Sequence, residues 1–259
     1  MKLKTLSLGF ITCITFASCS VDLNGANGSK GANGTTYLGS GEKVVASNNI
    51  IEEVRNLQNF EGLDVSSAII VNITDADYKG TVKVSAPDNI LTQIITRVDN
   101  GILKIYTEGS IQLGSGQKLE ITIPHKKLRS FDITGASSVN VKHQLKVEKM
   151  DVKLSGASKL DLNVMSNDLK ADNSGASKFS VKGNVQKAKL MVSGASKVDA
   201  EDLKVSSANV EASGASKVSV WAVDQLTVSA SGASKVEYKA QSNLLTSLDK
   251  SGASKISEI

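Results

Sequence analysis

Residues 155–197 read SGASKLDLNVMSNDLKADNSGASKFSVKGNVQKAKLMVSGASK, three copies of one five-residue phrase spaced 19 residues apart. The phrase SGASK occurs six times in all, at 155–159, 174–178, 193–197, 213–217, 231–235 and 251–255, and a weaker form, TGASS, fills 134–138. Measured from glycine to glycine, the intervals are 21, 19, 19, 20, 18 and 20 residues. A fixed period of this length is the mark of a solenoid. Helical repeats are longer and need a 3.6-residue apolar period, which is missing here, and no leucine-rich ladder is present.

Aligning the copies on glycine shows how one coil is built. Four residues after it stand Val139, Leu160, Phe179, Val198, Val218, Val236 and Ile256; four before it stand Phe131, Val152, Ala171, Leu190, Val210, Val228 and Leu248. The intervening positions are mostly polar, as at Lys153, Asp172, Glu211, Ser229 and Asp249. Alternation on both sides of a glycine describes two short strands meeting at a bend. Stacked at roughly 4.8 Å, such coils form an all-β fold, a right-handed parallel β-helix of ~20-residue coils. Equivalent residues then lie above one another, so each position becomes a ladder. Gly permits the bend, and stacked Ser hydroxyls bond along the ladder or back to the chain.

The last residue of the phrase gives a ladder of Lys159, Lys178, Lys197, Lys217, Lys235 and Lys255. Like charges about 5 Å apart repel by somewhat under 1 kcal/mol in water and by far more when buried, so these lysines must face solvent. Two residues on, Asp161, Asp199 and Glu237 alternate with Ser180, Ser219 and Ser257. One reading is a soluble charged face that discourages lateral pairing. The other is a candidate binding ladder for an extended anionic polymer. Trp221, the only tryptophan, falls at outward parity and is a candidate contact residue or a partly packed strand end.

Upstream, residues 50–124 alternate without an exact repeat. Leu63, Val65, Ile69, Val71 and Ile73 keep a period of two, as in a half-buried strand pair, and TVKVSA (81–86) and KLEITIP (118–124) repeat it. QIITRVDNGILKIYT (93–107) places Asn100-Gly101 between two alternating runs, the signature of a tight hairpin. Asp88-Asn89 before ILTQI offers one helical turn, and Pro124 ends a strand.

The start of the chain, MKLKTLSLGFITCITFASCS, has two lysines before an apolar run too short and Thr-rich to span a bilayer. It reads as a secretory leader, and Phe16-Ala17-Ser18-Cys19 resembles a bacterial lipobox. Residues 1–18 are thus expected to be a lipoprotein signal peptide, with lipidation at Cys19. Cys13 would leave with the leader, so no intramolecular disulfide remains. Residues 19–49 form the lipidated cysteine and a Gly/Asn/Ser tether. Residues 50–259 form the head, divided into an N-terminal β section (50–124) and the GAS coils (125–259). The formal charge of +4 includes the two leader lysines, and no basic stripe is interleaved with aromatics, so nucleic acid is not an expected partner.

Catalytic signals are sparse. His125 and His143 have no ligand pattern around them and read as surface residues; Asp75-Ala76-Asp77 reads as a turn. No phosphate-cradling glycine loop is present. No catalytic, cofactor or metal residue is assigned, and no cofactor is expected. The expected partners are a membrane through the lipid anchor and a glycan or other extended polymer. Ile259 follows closely on the last SGASK, which leaves an open coil where a loop could fold over or two copies could meet as a homo-oligomer.

The segments FEGLDVSSAIIVNI, TVKVSAPDNILTQIITRVDNGILKIYT and LRSFDITGASSVNV, followed by the SGASK coils, resemble the auto-transporter adhesin head family, also called the GIN head domain, over roughly residues 50–245. The resemblance implies a β-helical head, often on a lipoprotein of the Gram-negative envelope, with no catalytic residues to carry over. No C-terminal barrel segment follows in this sequence, so a lipid anchor takes its place. The expectation is a non-catalytic outer-membrane lipoprotein whose head is an adhesion or binding module. The alternatives are a carbohydrate-active β-helix enzyme and a purely structural envelope protein.

Overall fold

The computed structural model describes residues 43–259. The expected leader and Cys19 lie outside the described residues, as does most of the tether. The described chain is all-β. Its first strands are β1 (Val44–Val45), β2 (Ile50–Asn56), β3 (Gly62–Val65), β4 (Ile69–Thr74), β5 (Thr81–Pro87), β6 (Ile94–Asp99), β7 (Ile102–Thr107), β8 (Ile111–Gln112) and β9 (Leu119–Pro124). Then come β10 (Ser130–Ile133), β11 (Ser138–Lys146), β12 (Lys149–Leu154), β13 (Lys159–Asn173), β14 (Lys178–Val192), β15 (Lys197–Ala212), β16 (Lys217–Ala230), β17 (Lys235–Lys239), β18 (Leu245–Lys250) and β19 (Lys255–Glu258).

From β10 onward every pairing is parallel, and the register is the one that the glycine alignment requires. Val139 pairs with Leu160, which pairs with Phe179, then Val198, Val218, Val236 and Ile256. On the other side of the corner, Phe131, Val152, Ala171, Leu190, Val210, Val228 and Leu248 follow one another in the same way. The chain is therefore a parallel β-solenoid. Each coil has three faces where two short strands were expected. β13, β14, β15 and β16 run on from the first face through a middle face into the third, so one coil is a single bent strand of 14 to 16 residues. Val198, Leu190 and Val210 show no exposure at all. Fully burying a Val or Leu contributes roughly 1.5–3 kcal/mol, and the stacked columns repeat that gain on every coil.

The corners are held by backbone contact. All seven GAS glycines have φ between 66° and 72°. The amide of each following alanine donates to the carbonyl of the glycine one coil earlier, at 2.7 Å for Ala157 and 2.8 Å for Ala176, Ala195, Ala215, Ala233 and Ala253. A Cβ on Gly194 would lie 2.5 Å from the carbonyl oxygen of Gly175. The Ser that follows is buried within the corner. Ser177 bonds Ser196 at 3.2 Å and Ser196 reaches the Gly175 carbonyl at 3.3 Å, whereas the Ser137, Ser158 and Ser216 hydroxyls have no partner among the described residues.

The N-terminal section supplies one more coil than the GAS count suggests. β3 and β4 are not paired with each other; they lie on either side of a corner, with β3 on β10 and β4 on β11. Ser67 (φ 71°) occupies the glycine place, and Ala68 (φ 60°) follows it. On their other side β3 pairs with β7 and β4 with β9, both parallel. Residues 62–74 therefore sit between residues 102–124 and 130–141 in the stack. Beyond β7 and β9 the pairing turns antiparallel: β6 closes on β7 through the Asn100-Gly101 hairpin, and β5 joins β9 and β2. The helical turn is a 3-10 turn at Leu91–Gln93. Arg55 clasps it, donating to the Leu91 carbonyl at 2.8 Å and the Ile94 carbonyl at 2.5 Å.

One expectation needs correction here. His125 is not a surface residue but is 4% exposed, packed against Phe60 and Tyr78 at ring distances of 4.9 and 5.4 Å. Its Nε2–H donates to the Phe60 carbonyl at 2.8 Å, and Nδ1 accepts the Lys127 amide at 3.1 Å. That arrangement belongs to the neutral ring, and burial pushes its pKa below the ordinary 6.5. His143 is half-buried, with no partner for either nitrogen among the described residues.

Candidate functional site

The solenoid turns each outward residue type into a column, so the candidate site is a set of parallel columns. The six SGASK lysines stack in unbroken register from Lys159 through Lys178, Lys197, Lys217 and Lys235 to Lys255. Beside them run Asn140, Asp161, Ser180, Asp199, Ser219, Glu237 and Ser257. Lys159 Nζ lies 2.6 Å from Asp161 on its own coil. Glu237 bridges two coils, 2.8 Å from Lys217 and 2.5 Å from Lys235. These two hydrogen-bonded ammonium groups bring the Glu237 carboxyl down to about 2, and Glu237 in turn raises Lys217. Lys178, Lys197 and Lys255 have no ion pair among the described residues, and the other three lysines share two carboxylates, Asp161 and Glu237, so the ladder keeps a net positive charge. Exposed, solvent-screened pairs of this kind relieve the ladder's self-repulsion and do little more.

Trp221 stands where its parity places it, half-buried in β16 between the buried Val220 and Ala222. It is not beside the lysine ladder but on the middle face, next in register to Lys204. The Lys204 ammonium is 6.0 Å from the indole centre. Cys19 lies outside the described residues.

The third face carries a carboxylate held above its ordinary range. Asp64 pairs in register with Asp132, and burial, then the Asp132 charge, raise its pKa against the pull of Lys104. Asp75 and Asp77 flank Lys126 at 3.6 and 3.7 Å, which fits the expected turn. Among the described residues no group of three or more His, Cys, Asp or Glu side chains is placed to hold a metal ion. No helix of the described residues is long and apolar enough to cross a membrane.

Comparison with solved structures finds the same solenoid in other proteins. A putative adhesin of Bacteroides fragilis superposes with a TM-score of 0.77 at 20% identity, over 83% of this chain and 100% of that one. A putative lipid binding protein of Parabacteroides distasonis gives 0.65 at 20% identity, over 84% and 100%. A putative adhesin of Parabacteroides merdae gives 0.63 at 15% identity, over 85% and 100%. At these identities the likeness shows the fold alone. Comparison with curated proteins gives no match. The family described as "Putative auto-transporter adhesin, head GIN domain" matches residues 59–242, from the buried Phe60 beneath the first coil to the start of the last one. With most of its length matched and its coils in the register that the repeat demands, the chain belongs to the GIN head-domain family.

Proposed function

We propose that this chain is a non-catalytic lipoprotein of the bacterial envelope whose β-solenoid head is an adhesin-type binding module. The observation that carries the reading is the pair of outward first-face columns, Lys159 to Lys255 and Asp161 to Ser257, which no register shift interrupts. A stack in strict register presents one chemical group per coil at a spacing near 4.8 Å, a surface suited to an extended partner rather than to a small substrate. The head family and the adhesin names of two fold relatives support it. The lipobox at Phe16–Cys19 supports attachment to the outer membrane through acyl chains, which together give durable anchoring.

The test is protease shaving of intact cells that carry the wild-type chain or Cys19→Ala. Loss of the head from wild-type cells, with Cys19→Ala protein recovered unanchored, is the expected result. Protection in intact cells and digestion only after outer-membrane lysis would overturn surface display and leave a periplasmic structural role. A carbohydrate-active reading has one specific support, the coupled pair Asp64 and Asp132. Glycan turnover by the purified chain that disappears in Asp64→Asn would replace the binding reading with it.

A further inference from the structure

The middle face of the solenoid bears a column unlike the lysine ladder. In register it runs Lys146, Met165, Asn184, Lys204 and Trp221. At the next bend stand Glu148, Asn167 and Gln186, and the Asn167 amide donates to the Glu148 carbonyl at 3.0 Å, so this bend is stacked as well. Lys146, Glu148, Met165, Asn167, Asn184 and Gln186 line an open groove of about 680 Å³ that reaches Lys204. Trp221 continues the line one coil further on.

Three features of this groove point to one chemistry. Asn167, Asn184 and Gln186 make no side-chain hydrogen bond to another described residue. Each amide therefore offers a free acceptor and two donors to whatever lies in the groove. That mix suits hydroxyl groups, which both donate and accept. Met165 is 43% exposed within the groove and Trp221 is partly exposed one coil beyond it, giving two apolar platforms in line with the amides. Its three charges, Lys146, Lys204 and Glu148, leave a net +1, and Lys239, next in register to Trp221, is paired with Glu201 at 3.8 Å, so the groove offers only a weak field to a polyanion. The five stacked residues span about 19 Å at the coil spacing. One coil rise is close to the length of one sugar residue in an extended glycan.

We propose that this groove binds an extended neutral glycan along the solenoid axis, with hydroxyls on Asn167, Asn184 and Gln186 and one sugar ring against Trp221. The inference rests on the reading of the head as a binding module and gives that module a ligand class. Lys204, near the indole, donates to a sugar oxygen at the rim. The lysine ladder on the first face takes no part.

Trp221 is the only tryptophan of the chain, so its emission reports on this site alone. The full chain is titrated with cellohexaose, xylohexaose and mannohexaose, and separately with polygalacturonate, at low and high salt. The expected result is a saturable emission change with at least one neutral hexasaccharide, insensitive to salt. Asn184→Ala and Gln186→Ala should each weaken it about tenfold or more, while Lys178→Ala and Lys197→Ala leave it unchanged. Circular dichroism of the same variants separates lost contacts from lost folding, and Asn184→Gln, which keeps the amide, should restore part of the affinity.

No response to any neutral glycan would overturn the proposal. So would tight polygalacturonate binding that is abolished by salt and by Lys178→Ala. Protease shaving judges the other reading independently. A digested, surface-displayed head that binds none of these sugars removes the ligand class and leaves the binding module standing.

Discussion

At each GAS corner glycine meets two separate demands, and the structure allows them to be told apart. Gly194 has a φ of 70° and sits where a Cβ would press on the Gly175 carbonyl, whereas Gly101 has a φ of 75° and nothing within 4 Å. Gly101→Ala should therefore cost only the left-handed backbone term, about 1–2 kcal/mol. Gly194→Ala should cost that and a coil displacement, about 3 kcal/mol or more, read as a larger fall in the urea midpoint. Asn173 is a different case. It is fully buried in the column between Leu154 and Val192, and neither amide atom has a partner among the described residues. Asn173→Val should stabilise the head by about 1–3 kcal/mol, seen as a higher melting temperature. The glycine requirement was legible in the sequence because it recurs. Asn173 was not, since a single polar residue in an apolar column carries no period.

Among the elements, the repeating coils were legible and the N-terminal cap, strands β1 to β9, was legible only in part. Parallel stacking copies one register onto every coil, so the positions four before and four after each glycine could be paired from spacing alone. The Asn100-Gly101 hairpin and the Pro124 strand end also follow from local backbone preference. The Ser67-Ala68 corner did not, because it lacks glycine and lies 68 residues before Gly135, with six strands of the 17-stranded sheet between them. The burial of His125 was hidden for another reason: its sequence neighbours are basic, while the residues that cover it, Phe60 and Tyr78, come from elsewhere in the chain.

That cluster makes the cap pH-sensitive. The folded pKa of His125 lies below its ordinary 6.5, so the unfolded chain binds more protons and stability rises with pH. The His125 contribution is complete above 6.5 and is lost as pH falls from there through the depressed folded value. Chemical denaturation across that interval should show a slope that His125→Gln reduces.

For the whole molecule, the last described coil departs from the pattern that the others keep. Core columns filled by Ala230 and Tyr238 pass to Lys250 and Glu258, and Val228 passes to a Leu248 that is 43% exposed. Among the described residues this coil has a neighbour on one side only. Charges at these core-column positions oppose the addition of another apolar strand edge. Lys250→Val combined with Glu258→Val should make the chain self-associate, which light scattering would detect as a mass that rises with concentration. An unchanged monomer mass would show that these two charges do not limit contact at this end.

The order of strands in the cap has a consequence for how the molecule comes into being. The coil made by residues 62–74 has neighbours on both sides, but one arrives with residues 102–124 and the other with 130–141. A chain that emerges from its amino end cannot wind this solenoid coil after coil from the beginning. It must hold the earliest coil in waiting until, after the excursion of residues 75–101, residues 102–124 pair along it, a long-range step with a large loop entropy and slow kinetics. Only then can the GAS coils add in turn, each onto a finished edge. Maturation of the head should thus have two tempos, a slow founding event set by the cap and a rapid succession set by the repeat.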